Sequence, residues 1–219
     1  MTTTPAPLPP PGPTPRGRGW LAALAGVLLI TALGAAAFFA ARPTFSFTNG
    51  LVAPVRLVVG DATRIVAPGE TVKARVSRDR VVAEWELVRP LSADSQPMGE
   101  VVRGSWVIRS PRGTVEVRAE PRLETGDFFA PLVSNETDGL LRVTVNAGLD
   151  GARDCGCAVR PGASRVFIGY YRLYRNSTVQ ATDPAARTAM FRDLGEEVRR
   201  RGWTVGLRFT REVFSPTAD

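Results

Sequence analysis

The sequence predicts a mainly β protein, in which a single N-terminal transmembrane helix is followed by a duplicated β-sandwich-like ectodomain with one C-terminal α-helix. Three observations predict it. An uncharged, proline-free run stands near the start. Short segments alternating apolar and polar residues fill the remainder. Two of those segments carry the same strand and turn signals in the same order.

The helix comes first. "WLAALAGVLLITALGAAAFFAA" (20–41) has no charge and no proline. At about 1.5 Å per residue it matches a hydrocarbon core of about 30 Å, and it is longer than a signal-peptide apolar region of ~7–15 residues. Arg16 and Arg18 precede it and Arg42 follows, a bias that predicts the N-terminus inside and the remainder outside. Ala22, Gly26 and Gly34 form a small-residue stripe, a candidate helix-packing face within the bilayer. Residues 1–19 are rich in proline, which fixes φ and removes donors, so a disordered cytoplasmic tail is expected.

Beyond the helix, "FTNGLVAPVRLVVGDATRIVAPGETVKARV" from Phe47 matches "VSNETDGLLRVTVNAGLDGARDCGCAVRPGASRVFI" from Val133. Asn49 aligns with Asn135, Arg56 with Arg142, Val59 with Val145, and Pro68-Gly69 with Pro161-Gly162. Val55, Leu57 and Val59 alternate with polar positions, as do Leu141, Val143 and Val145, which is the period of a half-buried strand. "VVAEWELV", "SWVIRS" and "TVEVRAE" supply further strands. The predicted division is a first β module over 42–126 and a second over 127–219, with one larger sandwich as the alternative. "RVFIGYYRLYR" is expected to be a strand buried on both sides. A helix is expected at about 184–201, with Asp183 as N-cap, Pro184 at the first position, Met190, Leu194 and Val198 on one face and Gly202 past the end.

Charge and composition narrow the function. The net charge is +7, Lys73 is the only lysine, and acidic residues are interspersed among arginines beyond residue 41. That is the style of a GC-rich bacterial genome, so no nucleic-acid partner is predicted. The chain has no histidine, which excludes Ser-His-Asp and Cys-His nucleophile pairs and His-ligated zinc. The sequence therefore predicts a non-enzymatic single-pass protein of the bacterial inner membrane, with no cofactor. It would serve as an accessory or structural subunit of a membrane complex, or as a protein-binding module, with the lipid bilayer and a membrane or extracytoplasmic protein as partners.

The only two cysteines, Cys155 and Cys157, fall where the second repeat holds seven extra residues, in an enlarged hairpin loop "NAGLDGARDCGC". Residues two apart in a strand share a face at about 6.6 Å between Cα atoms. The disulfide window is ~4.4–6.8 Å, so a local bridge is reachable. Leu149, Asp150, Arg153 and Asp154 are the candidate partner contacts on that loop. Two thiolates are also soft ligands for Cu(I). The single anchor, the Cys155-x-Cys157 pair and the following Pro161-Gly162 resemble the copper-delivery assembly factors of cytochrome oxidase. That resemblance implies an immunoglobulin-like extracytoplasmic domain and Cu(I) held by Cys155 and Cys157. The family has aromatics between and after its cysteines, where this chain has Gly156 and Ala158. A copper(I) metallochaperone or thiol protein is thus the alternative reading.

Overall fold

The computed structural model describes residues 19–40, 42–77, 79–149 and 152–214. The tail expected at 1–19 lies outside them except for Gly19. The chain divides into two compact units, Met1–Arg42 and Pro43–Asp219.

In the first unit, helix α1 spans Gly19–Ala40. Its described side chains run over 24–35 only, and Leu24, Val27, Leu28, Leu29, Ile30 and Leu33 are all exposed. The polar Thr31 returns its hydroxyl to the Val27 carbonyl at 2.7 Å. Among the described residues no helix is long and apolar enough to cross a membrane, so the expected transmembrane helix has no support beyond its sequence.

The second unit is mainly β. Its first half has strands β1 (Thr44–Asn49), β2 (Val55–Val59), β3 (Ala62–Val66), β4 (Thr71–Arg75), β5 (Arg80–Leu87), β6 (Arg103–Arg109) and β7 (Thr114–Ala119). They form two sheets, in the orders β4-β1-β7 and β3-β2-β5-β6. Alternation sets the core: Val81, Ala83, Trp85 and Leu87 of β5 point inward to Phe45 and Phe47 of β1, while Glu84 faces out.

The second half contains β8 (Arg122–Leu123), β9 (Gly126–Asn135), β10 (Leu141–Val145), β11 (Arg153–Val159), β12 (Val166–Phe167), β13 (Tyr171–Arg172), β14 (Val179–Thr182), β15 (Thr188–Phe191), helix α2 (Leu194–Arg200) and β16 (Thr204–Phe209). Apart from the short β8 and β13, which also pair with β9, its pairings follow the first half strand for strand. The order β11-β10-β14-β15 corresponds to β3-β2-β5-β6, and β12-β9-β16 corresponds to β4-β1-β7. The last strand of each set lies parallel to the first, β7 on β1 and β16 on β9.

The matched asparagines show why the repeat is visible in sequence. Asn49, fully buried, donates Nδ2 to the carbonyls of Ala53 and Val66 at 2.9 and 3.0 Å and accepts the Leu51 N–H at 2.9 Å. Asn135, equally buried, donates to Gly139 and Val159 at 2.7 and 2.8 Å and accepts the Thr137 N–H at 2.9 Å. Each thus closes the turn after its own strand and ties it to the end of a strand in the opposite sheet. The backbone N–H groups of Gly69 and Gly162, in the two Pro-Gly turns, likewise reach the carbonyls of Asn49 and Asn135.

Two apolar cores result, and they interlock. Phe128, Ala130 and Tyr170 enter the first core, while Met98 enters the second. At the junction Gly99 meets Gly169 backbone to backbone, and the Glu100 N–H donates to the Tyr170 carbonyl at 2.8 Å. The Tyr170 hydroxyl accepts the Val52 N–H at 3.1 Å. Burial raises this phenol's pKa, and that hydrogen bond lowers it only in part.

Two expected elements differ. "RVFIGYYRLYR" is not one strand: β12 and β13 are separated at Gly169, whose φ of 112° breaks the extended run. The helix expected at about 184–201 is confined to Leu194–Arg200. Asp183 and Pro184 instead open the turn between β14 and β15, and Met190 belongs to β15. Asp-Pro signals a helix start and a β-turn equally, and here strand pairing decides. Asp183 accepts the N–H groups of Ala185 and Arg187 at 2.9 Å, and its carboxylate pairs with Arg187 at 2.6 Å.

Burial alone would raise the Asp183 carboxyl, but the Arg187 and Ala185 hydrogen bonds and the Arg187 charge outweigh it and hold the pKa below the usual range. A depressed folded pKa contributes stability that is complete above the ordinary carboxylate pKa of about 3.9 and is lost as pH falls through the folded value. The melting temperature should therefore drop more steeply on acidification below that pH in the wild type than in Asp183→Asn. Parallel slopes in thermal melts would contradict this.

Candidate partner-binding site

The two halves differ at the hairpin that carries the cysteines. Between β2 and β3 the chain turns through Gly60 and Asp61, and the two strands pair without a register shift. Between β10 and β11 the register slips, with Arg142 opposite Ala158 but Thr144 opposite Asp154. Val143 alone therefore spans Cys155, Gly156 and Cys157, and part of the extra sequence is taken up as a bulge inside β11.

The cysteines occupy that bulge. Cys155 and Cys157 are joined in a disulfide, with Cα atoms 5.0 Å apart. This is closer than an extended strand allows, as the bulge requires. Both side chains are buried in the second core beside Val143 and Val159. The expectation that they sit in the enlarged hairpin loop is thus corrected: both lie in β11, side chains two apart on a strand share a face, and here that face is the inner one. Paired with each other, the sulfurs are not thiolates and offer no soft ligand in this state.

The rest of the insertion is the connection between Val145 and Arg153. Its root is Asn146, which is fully buried and adopts the left-handed φ of 56°. Asn146 donates Nδ2 to the Arg172 carbonyl at 2.9 Å, and its backbone N–H reaches the Thr178 carbonyl at 2.7 Å. The Thr178 hydroxyl donates to Ala147 at 3.0 Å, and the N–H groups of Leu149 and Ala152 close successive turns at 3.0 and 2.9 Å. The loop is therefore fastened at its base to Arg172 of β13 and to Thr178, just before β14.

Beside it a depression of about 460 Å³ is lined by Leu149, Asn176, Gln180, Met190, Arg192 and Asp193, among others. Leu149, a predicted contact, is part-exposed on its rim. Asp150 lies outside the described residues, as do the side chains of Arg153 and Asp154. In α1, Gly26 and Gly34 have open space around them, and the Ala22 side chain lies outside the described set. Sequence reasoning missed Asn146 and the Arg192–Asp193 side of the depression. The asparagine before a glycine-rich stretch was the available signal for a left-handed loop root.

Two stretches, "NET" at Asn135 and "NST" at Asn176, match the N-x-Ser/Thr glycosylation pattern, and the fold separates them. Asn135 is fully buried in its hydrogen-bond set, whereas Asn176 of "NST" is exposed. Comparison of the chain with protein-family models finds no match, and no curated protein matches it.

Proposed function

We propose that this chain is a non-enzymatic, single-pass protein of the bacterial inner membrane, whose duplicated β-sandwich ectodomain acts outside the membrane as an accessory subunit or protein-binding module. The reading rests on one observation: the β10–β11 hairpin is enlarged relative to the β2–β3 hairpin of the first half, and it is firmly rooted. Asn146 and Thr178 tie the loop to neighbouring strands, and the Cys155–Cys157 bulge stiffens the strand behind it. A rigid scaffold carrying a longer loop is the usual arrangement for recognition. The uncharged run 20–41 and the arginines before it are the sequence signals behind the proposed anchorage and orientation.

The test replaces 146–152 by the two-residue turn of the first half. The far-UV spectrum should be unchanged, while co-purification of the wild-type partner from native membranes should fall at least about tenfold, the equivalent of ~1.4 kcal/mol. Retention of every partner at full yield would overturn the loop as the binding surface. One Cu(I) per chain after reduction would instead promote the metallochaperone.

A further inference from the structure

Strand β6 is the outer strand of its sheet, bonded to β5 on one side only. The Leu87 N–H donates to the Val102 carbonyl at 2.8 Å and the Ser110 N–H to the Asp79 carbonyl at 3.1 Å. In an antiparallel ladder this phase turns the backbone groups of Gly104, Trp106 and Ile108 toward β5. Those of Arg103, Ser105, Val107 and Arg109 point to the open side. The same four side chains are exposed on the outer face, with Val107 at 53 %. Trp106 and Ile108 point the other way, toward the gap between β6 and β7, and remain only part-buried.

The second half treats its equivalent gap differently. There Leu194 and Val198 of α2 and Phe214 of the 3₁₀ turn Glu212–Phe214 are buried, and the ring of Phe209 packs on Phe191 at 5.1 Å and on Phe214 at 6.1 Å. The first half, whose β6–β7 connection is a short turn, has no such cover among the described residues.

Charge identifies the occupant. Arg103 and Arg109 end the open row, and among the described residues neither has an ion-pair partner, although Glu86 lies across from Arg103 on β5. Two β6 strands from two copies, paired antiparallel about Val107 or its neighbours, would set arginine near arginine, which opposes self-association. We propose that β6 receives an added strand from a partner protein, with acidic residues opposite Arg103 and Arg109 and an apolar residue opposite Val107. Its alternate side chains are apolar and cover Trp106 and Ile108. Backbone bonds would supply affinity and the two charges would fix register. This inference rests on the binding-module reading and gives it a second surface, distinct from the 146–152 loop.

The probe is an end-blocked peptide, Glu-Ile-Val-Ile-Thr-Ile-Glu, flanked by glycines, with a Lys-for-Glu counterpart. Each is added to the full chain in mild detergent and followed by amide hydrogen exchange. The acidic peptide should slow exchange at Ser105, Val107 and Arg109 at least about tenfold, leaving β3 and β4 unchanged, and the lysine peptide should not. The double variant Arg103→Glu, Arg109→Glu should reverse that preference. Ser105→Pro, which removes an outward N–H without touching the β5 ladder, should abolish protection. Equal protection by both peptides, protection elsewhere or nowhere, or self-association through β6 without peptide would overturn the proposal. Failure here with loop-dependent co-purification intact leaves the module reading standing. Success here with no loop dependence removes the loop alone.

Discussion

Replacing Gly169 with alanine should lower the melting temperature by about 10 °C, the shift expected from ~3 kcal/mol in a domain of this size. Two effects act together. Gly169 has φ 112°, a conformation that an L side chain rarely adopts. The added Cβ would also stand 2.7 Å from the Gly99 Cα, 2.9 Å from its nitrogen and 3.0 Å from the Met98 carbonyl oxygen. All three are backbone atoms, so no side chain can swing aside. The contact belongs to the crossing that brings Met98 into one core and Tyr170 into the other, so relief requires the two halves to separate. Gly60→Ala is the control: its φ of 58° is also left-handed, but nothing lies within 4 Å. It should show the backbone penalty alone, about 1 kcal/mol. Equal shifts for the two variants would mean that the Gly99–Gly169 crossing is not tight.

Asn135→Ala should destabilise by about 3 kcal/mol, because it strips partners from backbone groups that are buried at Val159 and part-buried at Thr137 and Gly139. The Val159 carbonyl loses the Nδ2 donor at 2.8 Å and the Thr137 N–H loses its acceptor at 2.9 Å. Asn135→Asp should be worse still. A carboxylate would then face the Gly139 and Val159 carbonyls, two acceptors, with no hydrogen to offer. Asn49→Ala should follow the same pattern through Ala53, Val66 and Leu51. Denaturant melts of the three variants test this. Asn135→Asp matching wild type would show that the amide donor is not needed.

These two sites also mark what sequence reveals and what it hides. The Asn49–Asn135 correspondence was readable because a buried asparagine that closes a turn admits no substitute with the same donor and acceptor geometry. The alternation in Val81–Leu87 was readable because the strand period is 2. Gly99 and Gly169 were not readable: their requirement arises from a chain crossing between residues 70 positions apart, which no local pattern encodes. The helix overreach at Asp183-Pro184 has the same origin, since the turn and the helix start share their chemistry and only pairing with β14 separates them. At the loop, spacing indicated that the cysteines could bridge. It did not indicate that a bulge would turn both sulfurs into the core, because bulges follow from register, a property of two strands.

The central claim is that the chain works by holding a partner, and the mass of the native particle tests it most directly. Extracted from its own membranes in mild detergent and measured by native mass spectrometry, the wild-type chain of 23.6 kDa should appear in a larger complex of fixed stoichiometry. That complex should dissociate when the 146–152 loop is shortened. A wild-type chain found only as a single copy at native abundance, with the shortened variant indistinguishable from it, would contradict the account.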